Sequence, residues 1–170
     1  MKYLVAFILF ITVLPSYAQH DVPVTSEFEV SGAVKNKVKF SIKDLSAFKQ
    51  DSVGDVVLRN HRGDQKSVAK QMKGILLKTI LDSANIVADK PKEYSEFVIK
   101  LIASDGYTNV YSWNELYNTD IGNHVYIITE MDGEHIDKMD SRILALSLSD
   151  TNSGRRHLKG LAKIEVKKVQ

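Results

Sequence analysis

The sequence predicts one α+β domain behind a short apolar leader. Three observations lead there. Several stretches alternate apolar and polar residues with the period of a strand, while only a few short ones repeat with the period of a helix. The two kinds do not follow one another in regular strand–helix–strand order, which argues against a parallel α/β sheet. Finally, 170 residues with 44% apolar side chains suffice for a single core, and no linker-like, repeated or low-complexity segment divides them.

The elements follow in order. Lys2, the apolar run Tyr3 to Leu14, the helix-breaking Pro15 and the small residues of Ser16-Tyr17-Ala18 form an export signal over residues 1–18. The apolar run is too short to span a bilayer comfortably, so cleavage after Ala18 and a periplasmic or secreted location are expected. Residues 19–27 make a polar lead-in, and residues 28–170 the domain. Phe28 and Val30, then Val38 and Phe40, alternate as strands. Ser41-Ile42-Lys43-Asp44 is a capping box, with Phe40 and Leu45 as its hydrophobic staple, and starts a helix expected to reach about Lys49. Asp55 to Asn60 and Lys66 to Met72 are strands joined by a turn at Arg62-Gly63-Asp64. That tripeptide is also an adhesion motif, but a hairpin turn accounts for it. Leu76, Leu77, Ile80, Leu81 and Ala84 share one helical face, closed near Asn85. Phe97, Ile99 and Leu101 alternate, Asp105-Gly106 turns the chain, and Tyr107 to Tyr111 pairs back. A second capping box, Ser112-Trp113-Asn114-Glu115, lies between Tyr111 and Leu116. Val125 to Thr129, a turn at Asp132-Gly133, Ile143 to Leu148 and Lys163 to Val169 complete the strands. Leu76, Leu77, Ile80, Leu81, Ile99, Leu101, Ile127, Ile143 and Leu146 form the expected core.

Chemistry is harder to find. The chain has no cysteine, which excludes disulfides, thiolate metal sites and thiol catalysis. With 23 basic and 21 acidic residues it offers no general attraction for nucleic acid. Glycine-rich phosphate loops, zinc-protease helices and serine-hydrolase elbows are missing from the sequence. The acidic run Asp132 to Asp140 lacks EF-hand spacing and is expected to be a hairpin turn with solvated charges. His20, His61, His124, His135 and His157 stand far apart, so structural or surface roles are expected and no metal site. Lys66, Lys70 and Lys73 are expected on a solvated strand face, and Trp113 in packing. The tail is more suggestive. The polar loop Asp150 to Gly154 precedes Arg155, Arg156, His157 and Lys159, and such clustered cations can hold a phosphate or carboxylate.

Several of these pieces, in this order, resemble the oxidoreductase molybdopterin-binding domain, the sulfite-oxidase-like fold. They are Phe28 to Val34, Ile42 to Leu45, Lys73 to Ala84, Asp105-Gly106-Tyr107, Ser112 to Leu116, Gly122-Asn123 and Gly154 to Val166. The similarity covers about Phe28 to Val166 and is closest to a short, exported, single-domain branch. It implies mixed β-sheets with a few short helices, and molybdopterin as the family's cofactor. In the family's enzymes a cysteine at a strand end binds molybdenum; the corresponding stretch here, Val56 to Arg62, has no thiol. The resemblance sets Asn60, His61 and Arg62 beside that pocket, and Arg156 and Lys159 where the family holds the pterin phosphate. Gly160 stands where a tryptophan is common, which works against pterin packing.

Three functions follow, in order. The first is a non-catalytic module binding a small anionic or pterin-like ligand. The second is a molybdopterin-dependent oxidoreductase with His61 or a solvent oxygen in place of the thiolate, served by a membrane redox partner such as a haem protein. The third is a structural or interaction protein of the envelope with a vestigial pocket. If Arg156 and Lys159 are surface cations, replacing either should weaken ligand binding and leave stability unchanged.

Overall fold

A computed structural model describes residues 22–60 and 62–169. The export signal expected over residues 1–18, and His20 and His61, lie outside the described residues. Among the described residues ten strands carry the fold. β1 (Glu27–Gly32) and β2 (Val38–Ser41) lead into the one-turn helix α1 (Ile42–Leu45). β3 (Asp51–Arg59) and the long β4 (Gln65–Leu76) form a hairpin that runs directly into α2 (Leu77–Ala84). β5 (Phe97–Ala103) and β6 (Thr108–Ser112) form the next hairpin and enter α3 (Trp113–Tyr117). β7 (Val125–Met131), the two-residue β8 (Glu134–His135), β9 (Leu144–Ser147) and β10 (Leu161–Lys168) follow. Short 3-10 turns at Pro91–Glu96, Asp120–Asn123 and Ser153–Arg155 fill the connections.

The sequence dictates both strand-to-helix corners. Asp44 N–H donates to Ser41 Oγ at 3.3 Å while Ser41 N–H donates to Asp44 Oδ2 at 2.8 Å. Ser112 and Glu115 repeat the device at 3.1 and 2.7 Å. Each box satisfies amide groups that a helix start leaves without partners. The first helix stops four residues short of the expected Lys49, at Leu45. There the chain tightens into i→i−3 bonds, and the Gln50 side-chain amide donates to the Leu45 and Phe48 carbonyls. Those carbonyls are therefore satisfied without a longer helix. α2 ends as expected, at a left-handed Asn85 with φ 56°.

The strands make two sheets, one mixed and one wholly antiparallel. One has the order β2-β1-β10-β5-β6, in which β1 and β10 run parallel and the other neighbours antiparallel. The other has the order β3-β4-β7-β8, with β9 also paired to β7. One apolar cluster joins the inner sides of both sheets and α2. Leu77, Ile80, Leu81, Ile99, Leu101, Ile127, Ile143 and Leu146 are all buried in it, as their periodicity requires. Leu76 alone of the expected set is only half-buried. It is the last residue of β4, where pleating turns Ile75 inward instead.

Candidate functional site

The β3–β4 turn, the β7–β8 turn and the tail after β9 enclose a cleft of about 680 Å³. Its position follows from local chemistry. In the β3–β4 turn, Asn60 Oδ1 accepts from the Arg62 and Asp64 amides at 2.8 and 3.0 Å, and its Nδ2 donates to Asp64 at 3.1 Å. Asparagine at this place mimics a turn of backbone. The tail then docks on the end of β3: Arg59 N–H donates to the buried Ser153 Oγ at 2.9 Å. Gly154 passes so close that a Cβ there would lie 2.3 Å from the Arg59 carbonyl oxygen. Only glycine permits that approach. Opposite, Asp132 and Gly133 both take left-handed φ, 56° and 81°, and Asp132 Oδ1 accepts from the Lys70 amide at 2.7 Å. This fixes the β7–β8 turn as the facing wall.

The two walls differ in charge. Arg59, Lys66 and Lys159 come from β3, β4 and the tail, whereas Asp132, Glu134 and Asp140 come from the β7–β8 turn, β8 and the loop after it. Between them the floor is partly apolar, with Leu58, Ala69, Met131 and Met139. Among the described residues neither Lys66 nor Lys159 forms an ion pair. His157 lies beside both lysines. Its Nε2 is buried and has no hydrogen-bond partner among the described residues. Burial first, then the Lys159 and Lys66 charges, push its pKa down to about 4. The imidazole is therefore neutral at physiological pH, and unfolding lets it take a proton at any pH between about 4 and its ordinary 6.5. Stability should thus be full above pH 6.5 and decline as pH falls toward 4. Urea midpoints measured from pH 7 to 4.5 should fall less steeply in His157→Gln than in the unaltered protein.

The structure brings together some of the sequence-predicted site residues and separates others. Asn60 and Lys159 line the same cleft. Arg62 is exposed and not on its walls, and His61 lies outside the described residues. Arg156 turns away altogether. Its Nη2 meets Glu115 Oε1 at 3.1 Å, its Nε meets Asp150 Oδ2 at 3.5 Å, and its guanidinium sits 4.4 Å from the centre of the Tyr111 ring. Burial pushes the Glu115 carboxyl up, but the Ser112 amide and Arg156 outweigh it and hold the group below its ordinary value. Arg156 is thus an internal tie between α3 and the tail, not the surface cation expected from the sequence. Lys66 and His157 take its place at the cleft. Sequence reasoning missed Lys66, which sits in a strand that reads as solvated, and read His157 as one of the tail cations where the structure holds it neutral.

No family profile and no curated protein sequence matches the chain. Among solved structures it is similar to the sulfane dehydrogenase SoxCD from Paracoccus pantotrophus, with a TM-score of 0.61 at 11% sequence identity. The alignment covers 86% of this chain and 40% of that one. This chain therefore spans well under half the length of the dehydrogenase chain, and what they share is a fold. The α+β make-up expected from the sequence, β-sheets with a few short helices, is present in the structure, though only the first sheet is mixed.

The resemblance seen in the sequence implies a molybdopterin, and the donor set can be tested against it. A molybdenum held as the family's enzymes hold it would need an anionic sulfur donor from the protein side. The cleft offers sulfur only as the neutral thioethers of Met131 and Met139, and the chain has no thiol. A thiolate-ligated metal does not fit these residues. An anionic organic ligand does, since two lysines and a buried imidazole edge face the same space.

Proposed function

We propose that this protein is a non-catalytic binding module that takes a small anionic or pterin-like ligand in the 680 Å³ cleft. One observation carries the proposal: Lys66 and Lys159 flank the unpartnered Nε2 of His157 inside a cleft whose other wall is acidic. A ligand with an anionic end and N–H donors at the other would complement both walls, which is how a phosphorylated or carboxylated pterin is built. The cleft is within the usual size range for small-molecule sites. The likeness of fold to a dehydrogenase supports an origin among molybdopterin-binding oxidoreductases, while the missing thiol argues against their chemistry.

The test is a thermal-shift and calorimetric screen of pterins, nucleotides and organic phosphates. For any binder found, Lys159→Ala or Lys66→Ala should weaken affinity about ten-fold, because a charge-assisted contact contributes roughly 1.5–3 kcal/mol. Both lysines are exposed, so melting temperature should barely change. A screen without binders, or lysine variants that bind equally well, would favour the envelope-scaffold function. The engagement of Arg156 by Glu115 and Asp150, away from the cleft, lends support to that envelope-scaffold function. The oxidoreductase alternative predicts near-stoichiometric molybdenum in protein produced together with cofactor synthesis, and elemental measurement decides it.

We also propose export, on the apolar run and small residues ahead of Gln19. N-terminal sequencing of the mature protein should begin at Gln19. An intact Met1 on membrane-bound material would reject this.

A further inference from the structure

Each sheet has edges, and among the described residues all but one of them are guarded. β2 is four residues long, carries Lys39 and turns at once into α1. β3 breaks register on either side of Gly54 and again before Arg59, and the tail docks on its end through Arg59 N–H and Ser153. β8 has only two residues. β9 is covered by Leu158, which exchanges two main-chain hydrogen bonds of 2.9 Å with Ala145. Lysines, bulges, brevity and covering segments are the devices that stop a strand from recruiting another chain. β6 has none of them. Its residues Thr108-Asn109-Val110-Tyr111-Ser112 include no charge, and its pairing with β5 runs without a register shift.

The unused groups on that edge can be named. Ala103 N–H donates to the Tyr107 carbonyl at 2.8 Å, and the register then pairs Leu101 with Asn109 and Ile99 with Tyr111. Hydrogen-bonded and non-hydrogen-bonded pairs alternate along an antiparallel ladder. Asn109 and Tyr111 therefore direct their main-chain groups to β5, while Thr108, Val110 and Ser112 direct theirs sideways to the open edge. Ser112 agrees: its N–H donates to Glu115 Oε2 at 2.7 Å instead of to β5. That leaves the N–H and C=O of Thr108 and Val110 open to another strand. Both residues are exposed, Val110 at 46%, with the half-buried Val98 and Ile102 on the same outer face of β5.

We propose that β6 pairs antiparallel with β6 of a second copy of this chain, about a two-fold axis at Asn109. Thr108 then faces Val110 of the partner subunit, and Val110 faces the partner subunit's Thr108. These two pairs use every free group and make four hydrogen bonds, joining two five-stranded sheets into one. An axis at Val110 would instead set Thr108 against Ser112 of the partner subunit, whose N–H is already engaged. A neutral strand suits self-pairing, because no like charges meet across the axis. An extended peptide is a poorer occupant. Strand addition selects peptides through side-chain pockets beside the edge, and Thr108 and Val110 line none of the four main clefts among the described residues. The contact is far smaller than a standard interface of about 1,600 Å², so the dimer is weak.

Sedimentation equilibrium of the mature protein should therefore show one copy at about 10 µM and a rising share of two copies toward about 1 mM. Over that range hydrogen exchange at the Thr108 and Val110 amides should slow several-fold, while amides elsewhere stay unchanged. Val110→Lys and Thr108→Lys each place a charge on the exposed row, twice in every dimer. Either should weaken association about five-fold or more with little change in melting temperature. A single copy at every concentration overturns the proposal. Fast exchange of the two amides would then leave the edge to another kind of partner, and slow exchange would show it covered from within the chain. A dimer that both lysine variants leave intact, or one that forms without slowing these amides, overturns it as well, since the contact would lie elsewhere. The exchange comparison uses unaltered protein, so it decides the matter even if a variant fails to fold.

Discussion

Arg156→Ala should lower stability by about 2–3 kcal/mol, a fall of roughly 5–10 °C in melting temperature. The side chain is 27% exposed and closes a contact between two distant parts of the chain, Glu115 in α3 and Asp150 before the tail. Removing it leaves two partly buried carboxylates without their counter-charge and strips a cation from the Tyr111 ring. Arg156→Lys should recover only part of the loss, because an ammonium cannot address two carboxylates and a ring in one plane. The pH dependence supplies a second reading of the same tie. Glu115 is held below its ordinary pKa in the folded state, so its contribution is complete above the usual carboxylate range and is lost as pH falls through the lowered value. Chemical denaturation of both variants checks the magnitude. An unaltered midpoint for Arg156→Ala would mean that the tie contributes nothing to stability.

Leu101→Ala should cost about 2–5 kcal/mol. Leu101 is fully buried in β5, directly between Asn109 of β6 and Ile164 of β10, where no flexible loop can move in to fill the space. The cost should appear as a lower denaturant midpoint with an unchanged slope, the mark of a cavity in an otherwise intact fold. A near-neutral result would mean that β5 faces the other way.

Comparison of these two residues shows how far the sequence alone could carry the argument. Leu101 is legible because burial repeats every second residue along β5, and alternation is a local signal. The two capping boxes are legible for the same reason: Ser41 with Asp44 and Ser112 with Glu115 lie three residues apart. Arg156 is not, since its partner Glu115 is 41 residues away and only the fold brings them together. The hairpin of β3 and β4 is longer than its pattern suggests because much of it is exposed on both faces, and exposed strands carry little apolar alternation. The resemblance pairs the end of β3 with the tail, and in the structure Asn60 and Lys159 line one cleft. It could not show that Arg156 faces inward, nor that Lys66 from β4 fills the gap. The stack of Tyr94, Trp113 and Tyr117 is half legible: Trp113 and Tyr117 are four residues apart on α3, but Tyr94 joins them from the turn at Pro91–Glu96.

The place of β10 has implications for how the molecule assembles. The last strand does not close an edge; it inserts between β1, at the start of the described chain, and β5. Until those residues emerge, the first sheet is two separate ribbons, β2-β1 and β5-β6, each with an open hydrogen-bonding edge. Two-stranded ribbons of this kind are marginal by themselves. A chain lacking Leu161–Lys168 should accordingly remain protease-sensitive and prone to pair with other copies, whatever the state of its second sheet. The first sheet should form only after Leu161–Lys168 have been made, and slowly, since its parallel pair joins segments more than a hundred residues apart.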